Sequence, residues 1–527
     1  MAQPIENAGF KGKAISLFTV CSAEVVGPNT RFWQAAGLDL LYVQTHTREG
    51  QYLLDRLGTH GSCRWLRNHH VFSDEVAKGV TCGLRSYRED DAGNPIHDFS
   101  AINRIYAEWL RRGIKPIVEY DFMPVELSAT GRIRSEPKDW TKWANLLKAF
   151  TANLIQTFGR DEVRTWPLEF WNEPDWWPED QIEVLYRMYD VFADAVRSQD
   201  DRLRVGGPAV FHDWALRPFL RHVTQRRNYV TGKIGTPIDF VSYHSYALSN
   251  EWVGQHPLIR PTVQKIVMDV LLCRRLLREF QLIDKVEFHL NEWGMCSNYS
   301  RTVDECPGLE YRNTEESALF MAKLVDCLYA TGDMFGLLPD MLLYWGFAGE
   351  EDDRLFLGQR SLTTCGHLPK PILMAYEMLA KLGSQRLKVQ GSRYGESLGL
   401  MATRHDDGRL TMLGYNYNEF DEREQAVQAM DVELTGLVGK AIKVEAYVLD
   451  ASHHNTYRAW ERQGRPRTPA QADMEALRKE AKLTVTRCWD VPVVGDQARL
   501  HVKLPFRSMV LLEVRPDSSV AGGRECS

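Results

Sequence analysis

The sequence lacks the cysteine pairs that mark a structural metal site. Its ten cysteines are spread along the chain and form no Cys-X-X-Cys pair, which is the common ligand spacing of structural zinc. The scatter is typical of free buried thiols in a reducing compartment, although Cys296 and Cys306 are near enough in sequence to close a short loop. We therefore expect no metal centre.

The sequence also lacks long apolar runs and a strong charge of one sign. No run approaches the roughly 18 apolar residues that a membrane-spanning helix needs. The formal net charge is only -6, from 64 basic and 70 acidic residues, and this balance provides no electrostatic footprint for nucleic acid or an anionic membrane. We therefore expect a protein that binds neither nucleic acid nor membranes. The oligomeric state is left open.

No signal peptide is visible at the start of the sequence. The first seven residues contain no basic region followed by an apolar core, which is the pattern that a secretory leader requires. The simplest expectation is a cytoplasmic protein, and a periplasmic or secreted location stays open if a leader is missing.

Short apolar strands alternate with longer amphipathic helices over the first two thirds of the 527 residues. Such alternation is typical of a parallel sheet covered by helices, and eight units predict an α/β fold of the (β/α)8 or TIM-barrel type. We place this barrel at residues 15–365. The eight predicted strands cover residues 14–21, 63–71, 114–120, 166–172, 203–208, 239–245, 286–291 and 341–347.

A second domain is predicted after about residue 383, where the pattern changes. Strand-like segments separated by polar turns indicate an all-β module, most simply a β-sandwich. We assign residues 383–517 to it, with a further strand from residues 1–14. The strand-like segments are 398–403, 410–415, 441–448 and 508–514, and a charged helix-like insert covers 469–482.

Two predicted barrel strands end in the same dipeptide. One is Trp166-Pro-Leu-Glu-Phe-Trp-Asn172, which runs into Glu173-Pro174, and the other ends in Asn291-Glu292. The carboxyl ends of parallel barrel strands meet at one face, where active sites lie. Two carboxylates at that face are the minimum apparatus for breaking a glycosidic bond.

Other polar side chains fall at the ends of the predicted strands, among them Arg67, His69, His244 and Tyr246. Each has an ordinary structural explanation, such as an ion pair, a hydrogen-bonded core histidine or a solvated carboxylate. Burying many polar groups without partners is costly, whereas a sugar with several hydroxyls can satisfy them. The abundant tryptophans and tyrosines offer flat faces suited to sugar rings, although most belong in a core of this size.

Several sequence blocks, in the expected order, resemble glycoside hydrolase family 39, the family of β-xylosidases and α-L-iduronidases. They include Arg64-Trp-Leu-Arg-Asn-His69, the block from Pro116 to Pro124, and the Asn-Glu-Pro triplet with the residues before it. The triplet alone is shared across a large clan of retaining glycosidases on (β/α)8 barrels, whereas the ordered set is far more specific.

The resemblance implies that Glu173 is the general acid/base and Glu292 the nucleophile of a retaining, double-displacement mechanism. It also implies that Asn172 binds the sugar 2-hydroxyl, and that neither a metal nor an organic cofactor takes part. The residues expected to contact the sugar are Asn172, His244, Tyr246, Arg67, His69, Phe122, Trp177, Trp293, Tyr299, Trp345, Glu350 and Glu351.

The sequence departs from the xylosidase pattern around the sugar pocket, which leaves the substrate open. The acid/base triplet is followed by Asp175-Trp-Trp-Pro178, the nucleophile by Trp293-Gly-Met-Cys296, and the loop at 346–353 does not align. The sequence favours an exo-acting β-xylosidase that releases xylose from the non-reducing ends of xylo-oligosaccharides. Arabinose-, galactose- or uronic-acid-containing glycans are alternatives, and for a uronic acid Arg67 is the obvious strand-end cation.

Two alternatives of another class remain. One is a catalytically silent glycan-binding barrel, and the other assigns the carbohydrate-binding role to the β module. Both strand-end glutamates, Glu173 and Glu292, argue against the first. The second predicts that the barrel alone cannot hydrolyse a small aryl glycoside.

Overall fold

The structure, a computed structural model, consists of a parallel barrel and a large β-sheet. It describes residues 15–38, 45–74, 76–77, 80–81, 83–176, 181–254, 259–298, 301–346, 354–391, 397–420 and 428–516. The predicted strand at residues 1–14 lies outside these ranges.

The strands of both units interleave along the chain. In order they are β1 (Ile15–Pro28), β2 (Ala35–Leu38), β3 (Trp65–Asn68), β4 (Val76–Ala77), β5 (Val80–Thr81), β6 (Tyr87–Glu89), β7 (Pro95–His97), β8 (Lys115–Tyr120), β9 (Pro167–Phe170), β10 (Arg204–Val210), β11 (Phe240–Tyr246), β12 (Glu287–Gly294), β13 (Met341–Trp345), β14 (Gln385–Gln390), β15 (Leu398–Arg404), β16 (Leu410–Asn416), β17 (Gln428–Thr435), β18 (Ala441–Leu449), β19 (Arg487–Pro492), β20 (Ala498–Leu504) and β21 (Ser508–Pro516).

The helices mostly cover the barrel. In order they are α1 (Arg48–Thr59), α2 (Ser100–Leu110), α3 (Trp140–Phe158), α4 (Arg160–Val163), α5 (Ile182–Arg197), α6 (Asp213–Gln225), α7 (Val263–Glu279), α8 (Glu315–Phe335), α9 (Pro371–Ala380), α10 (Thr456–Arg462) and α11 (Gln471–Glu480). Within the ranges given above, none of them combines the length and the apolar character that crossing a bilayer requires.

The barrel closes from eight parallel strands, in the order β2, β3, β8, β9, β10, β11, β12 and β13, with β13 pairing back to β2. The strands are almost entirely buried, as β9 and β13 illustrate, because helices cover the outside and side chains fill the inside. The prediction of a TIM barrel is confirmed.

The predicted first barrel strand, residues 14–21, is a wrong assignment. This segment belongs to β1, which pairs with β14 and β17 in the other sheet. The first barrel strand is β2, and its four residues, Ala-Ala-Gly-Leu, carry too weak an apolar signal to be recognised. Gly37 is needed there because a Cβ at this position would lie 1.9 Å from Trp345 Cε3.

The second unit is one continuous nine-stranded sheet in the order β19-β18-β21-β16-β15-β14-β1-β17-β20. It is antiparallel except for the parallel pair β1 and β17. Leu500 of β20, at one end, and Val444 of β18, near the other, belong to the same apolar cluster. The sheet therefore curls over its own core, so that its two halves form the layers of the predicted all-β domain.

The two units pack closely along α8. Lys323 Nζ of this helix lies 2.6 Å from Glu419 Oε2, with both side chains buried, and the Tyr415 hydroxyl donates to Asp326 Oδ2 at 2.7 Å. Removal of one partner of this buried ion pair would leave an uncompensated charge between the two units.

Two helices, α10 and α11, are inserted between β18 and β19. The sequence predicted the second of these helices and missed the first. The rings of Tyr457 and Trp460, from α10, each lie 5.2 Å from the ring of Phe356. The insert therefore packs against the chain that follows β13, at the carboxyl end of the barrel strands.

Candidate active site

Two glutamates lie side by side at the carboxyl end of the barrel. Glu292 belongs to β12, and Glu173 follows β9 with a left-handed φ of 45°. The Glu173 amide donates to the Ala209 carbonyl oxygen of the neighbouring strand at 3.0 Å. The side chains are 18% and 6% exposed for Glu173 and Glu292. A backbone held in this sparsely populated region is common at functional sites.

His244 bridges the two carboxyl groups. Its Nδ1 lies 3.0 Å from Glu173 Oε1 and 3.4 Å from Glu292 Oε2, and these ligand atoms lie within 4.8 Å of one another. The pairing of β11 with β12 sets His244 opposite Glu292. Carboxyl groups about 5–5.5 Å apart fit a double displacement, whereas an inverting site leaves room for a water between them.

Arg67 is the central buried cation. Its Nε lies 2.6 Å from Glu169 Oε2 and 2.8 Å from Glu119 Oε1, while Nη1 lies 3.4 Å from Glu292 Oε2. Nη2 donates to Asn172 Oδ1 at 3.0 Å. Burial lowers the pKa of Arg67, but the surrounding carboxylates more than compensate and raise it above its usual value. Arg67 is fully buried and contacts Glu292 and Asn172. Its predicted contact with a sugar stays a prediction.

The other oxygen of Glu292 is held by Tyr246 and Arg360. The Tyr246 hydroxyl donates to Glu292 Oε1, and Arg360 Nη1 donates to that hydroxyl oxygen and lies 3.9 Å from Glu292 Oε1. Burial, with Glu292 nearby, raises the pKa of Tyr246 well above its usual value. The sequence analysis missed Arg360, which lies in an irregular segment after β13 and has no periodic pattern to mark it.

A second acidic cluster, formed by Glu119 and Asp121, contacts His69. The His69 Nδ1 atom lies 2.8 Å from Glu119 Oε2 and 3.7 Å from Asp121 Oδ2. Burial is the main cause that raises the pKa of both carboxyl groups well above the usual range. Both residues belong to the sequence block from Pro116 to Pro124, but the sequence analysis assigned them no role. The ring of Trp345 lies 4.4 Å from that of His69, so both predicted sugar contacts line one wall.

The remaining predicted contacts divide into three groups. Phe122 packs 5.1 Å from His70 at the same wall. Trp293 is fully buried, and its ring lies 5.3 Å from that of Tyr344; its predicted contact with a sugar stays a prediction. The last group lies outside the described residues and comprises Trp177, Tyr299, Glu350 and Glu351.

Asp175 lies two residues beyond the acid/base candidate and is buried. Its Oδ2 accepts hydrogen bonds from the amides of Phe211 and His212, at 2.9 and 2.8 Å. Oδ1 is buried without a hydrogen-bond partner among the described atoms. Burial, helped by the charge of Glu173, raises the pKa of Asp175 to about 6 in spite of these bonds.

Among the residues that the structure describes, two sets of side chains could offer metal ligands: His69, Glu119 and Asp121, and the trio of Glu173, His244 and Glu292. Arg67 Nε lies 2.8 Å from Glu119, and Nη1 lies 3.4 Å from Glu292. A fixed guanidinium this close competes with a bound cation, so we keep the metal-free mechanism as the expectation. Cys296 and Cys306 are both free.

The chain matches the family model "Glycosyl hydrolases family 39" over residues 17–497. It is 28% identical over 440 residues to a β-xylosidase of Geobacillus stearothermophilus, covering 79% of each protein. It is 22% identical over 562 residues to the human α-L-iduronidase, covering 96% of this chain and 80% of that one.

A solved structure of similar fold is the monomeric β-xylosidase from Caulobacter crescentus CB15. It superposes with a TM-score of 0.79 at 22% identity, covering 95% of this chain and all of that one. The likeness to this structure concerns the fold, whereas the family match spans nearly the whole chain. The chain therefore belongs to glycosyl hydrolase family 39 and is a glycoside hydrolase.

Proposed function

We propose that the protein is an exo-acting β-xylosidase that releases xylose from the non-reducing ends of xylo-oligosaccharides with retention of configuration. The observation that carries the proposal is the cluster of Glu173, His244 and Glu292, whose ligand atoms lie within 4.8 Å of one another. The similarity to characterised β-xylosidases, at 28% and 24% identity, supports xylose as the sugar.

In the first step, protonated Glu173 gives its proton to the glycosidic oxygen while Glu292 attacks the anomeric carbon. The bond from that carbon to the leaving oxygen breaks, and an ester bond to Glu292 forms. Tyr246 and Arg67 hold the two oxygens of Glu292, so the attacking carboxylate needs little reorganisation. Asn172, whose Oδ1 is engaged by Arg67, is free to turn its amide N–H groups to the sugar 2-hydroxyl.

In the second step, Glu173 is a carboxylate and takes a proton from water. The water oxygen attacks the anomeric carbon, Glu292 leaves, and the sugar is released with its original configuration. His244 lies between the two carboxyl groups and can donate to whichever of them carries the charge. The loss of charge on Glu292 in the intermediate makes deprotonation of Glu173 easier.

Hydrolysis of a panel of 4-nitrophenyl glycosides tests this proposal. We expect the β-D-xyloside to give the highest kcat/KM, and we expect Glu292→Ala to lower it by at least about a thousandfold, since nucleophile and acid/base act as a unit. Glu173→Ala is the second control. A clear preference for another sugar, or no turnover by correctly folded protein, would overturn the xylosidase assignment.

A uronic acid glycoside is the second candidate substrate, and Arg360 is the observation that favours it. Its guanidinium lies 3.9 Å from Glu292 Oε1, and the side chain is only 8% exposed. A guanidinium beside a sugar pocket can pair with a sugar carboxylate through two parallel hydrogen bonds. The similarity to α-L-iduronidases points in the same direction.

The same panel separates the two candidates when it includes aryl uronides. If the natural substrate is a uronide, Arg360→Gln should lower kcat/KM for the uronide by about tenfold or more relative to the xyloside. The reason is that the variant loses a charge-assisted pair with the sugar carboxylate. A xylose substrate predicts no turnover of uronides by the wild-type protein.

A further inference from the structure

Two tryptophans differ from the others because their rings are exposed to solvent. Trp214 is 37% exposed and Trp252 is 52% exposed, whereas every other tryptophan whose side chain the structure describes is buried or half-buried. A large aromatic ring gains free energy when it is covered. A single exposed ring is ordinary, but two exposed rings in neighbouring segments at one end of the barrel form a candidate binding surface.

Both tryptophans belong to segments that follow barrel strands, at the carboxyl end of the barrel. Trp214 is in the first turn of α6, directly after β10, and Trp252 lies in the short helix Asn250–Trp252 that follows β11. β10 pairs with β9, which leads into Glu173, and with β11 on its other side. The two tryptophans therefore occupy adjacent loops on the side of the pocket that carries the acid/base.

The segment that leads to Trp214 forms hydrogen bonds with the segment that carries Glu173. The Glu173 amide donates to the Ala209 carbonyl oxygen at 3.0 Å. Further along both segments, the amides of Phe211 and His212 donate to the Asp175 carboxylate. These bonds fix the start of the loop against the acid/base segment, so its position relative to Glu173 is built into the fold.

A row of three rings continues from this anchor towards solvent. The rings of Phe211 and His212 lie 4.0 Å apart, and that of His212 lies 6.0 Å from the ring of Trp214 at an interplanar angle of 30°. The His212 side chain is 48% exposed, and its Nδ1 lies 3.2 Å from Asp175. These ring contacts preorganise the side chains in the absence of a ligand, and preorganisation lowers the conformational entropy lost on binding.

We propose that Phe211, His212, Trp214 and Trp252, together the aromatic rim, bind the leaving-group side of the substrate. The acid protonates the oxygen that joins the sugar to its leaving group, so the leaving group lies on the side of Glu173. Flat rings with polar edges match the C–H faces and hydroxyls of a pyranose. The occupant is a glycan chain with at least one further pyranose beyond the scissile bond.

The inference rests on the proposed glycosidase activity, and its test compares two substrates with the same glycosyl unit. In xylotriose the leaving group is a disaccharide, whereas in β-D-xylosyl fluoride it is a fluoride ion without a ring. We expect Trp214→Ala to lower the ratio of kcat/KM for xylotriose to that for the fluoride by about tenfold. Trp252→Ala lowers the same ratio to a smaller extent.

Phe335→Ala is the matched control. This aromatic residue is 54% exposed and ends α8, at the opposite end of the barrel from the catalytic face. The control should keep the wild-type ratio. An unchanged ratio in both tryptophan variants would overturn the aromatic rim.

Failure of the xylosidase assignment would show separately, as lack of turnover of the fluoride by the wild-type protein. The same comparison is then made with the fluoride and the oligosaccharide of the sugar that the glycoside panel identifies. The aromatic rim is thus tested by the change in the ratio of kcat/KM values, whereas the sugar specificity is tested by wild-type turnover of the fluoride.

Discussion

The donors of the site converge on Glu292. Arg67 and His244 reach its Oε2, each at 3.4 Å, while Tyr246 and Arg360 reach its Oε1. These charge-assisted hydrogen bonds and ion pairs fix the orientation of the Glu292 carboxylate. Glu173 is more exposed and shares His244 with it. At the scale of the residue, this difference supports the proposal that Glu292 attacks the sugar and Glu173 transfers the proton.

Asp175 supplies a prediction on pH and stability. The folded protein holds its proton up to about pH 6, whereas the unfolded chain releases it near 3.8. Between these values the folded state binds more protons, so the free energy of unfolding should fall, by about 3 kcal/mol, as the pH rises through this window. Asp175→Asn removes this titration, and its stability relative to the wild type should therefore rise between pH 4 and pH 7.

Urea unfolding of both proteins at each pH measures this effect. Asp213→Asn, a change of an exposed acid in the first turn of α6, is the control and should run parallel to the wild type. Parallel curves for Asp175→Asn as well would contradict the raised pKa.

Some residues of the site were predictable from the sequence and others were not. Glu173, Glu292, His244 and Tyr246 follow or end regular strands, so the geometry of a parallel barrel brings them together. Arg360 arrives from an irregular segment with no periodicity, and only the folded chain shows its contact with Tyr246. The complete burial of Trp293 depends on packing against α8, which its position in the sequence does not reveal.

Among the secondary-structure elements, the short strand β2 positions a side chain of the candidate site, that of Trp345. Gly37 pairs with Trp345 in the register of β2 and β13, and a Cβ would lie 1.9 Å from the Trp345 ring. We expect Gly37→Ala to lower the free energy of unfolding by about 1–3 kcal/mol through overpacking. Displacement of Trp345 from His69 should also lower kcat/KM.

Chemical denaturation and steady-state kinetics check this prediction together. Gly308→Ala is the matched control because the nearest atom to an added Cβ is 3.5 Å away, at Gly254. Equal stability and equal activity of the two variants would show that the barrel tolerates a methyl group under Trp345.

Seven of the eight barrel strands were predicted because each is a buried apolar run followed by an amphipathic helix. The exception arose because β1 is longer than β2 and carries larger apolar side chains, although it belongs to the other sheet. Hydrophobicity indicates that a strand is buried, but does not indicate which sheet buries it. Pairing with β14 and β17, both distant in sequence, decided that question.

At the scale of the whole molecule, the second domain supports the pocket through its helical insert. Arg458 of α10 lies 2.8 Å from Glu315 at the start of α8, and Tyr457 packs on Phe356. Phe356 lies in the same irregular segment as Arg360, a few residues before it in the sequence. The β-sheet domain and the barrel therefore share the wall from which Arg360 reaches Tyr246, and the all-β prediction alone did not show this connection.

Azide rescue of Glu292→Ala tests the central claim, a double displacement by Glu292 and Glu173, most directly. With an activated aryl glycoside of the sugar that the wild type cleaves, the variant should be nearly inactive, and azide should restore turnover. The predicted product is a glycosyl azide of inverted configuration, identified by NMR, because azide attacks from the face vacated by the carboxylate. Full hydrolytic activity in the variant, or an azide product of retained configuration, would contradict the account.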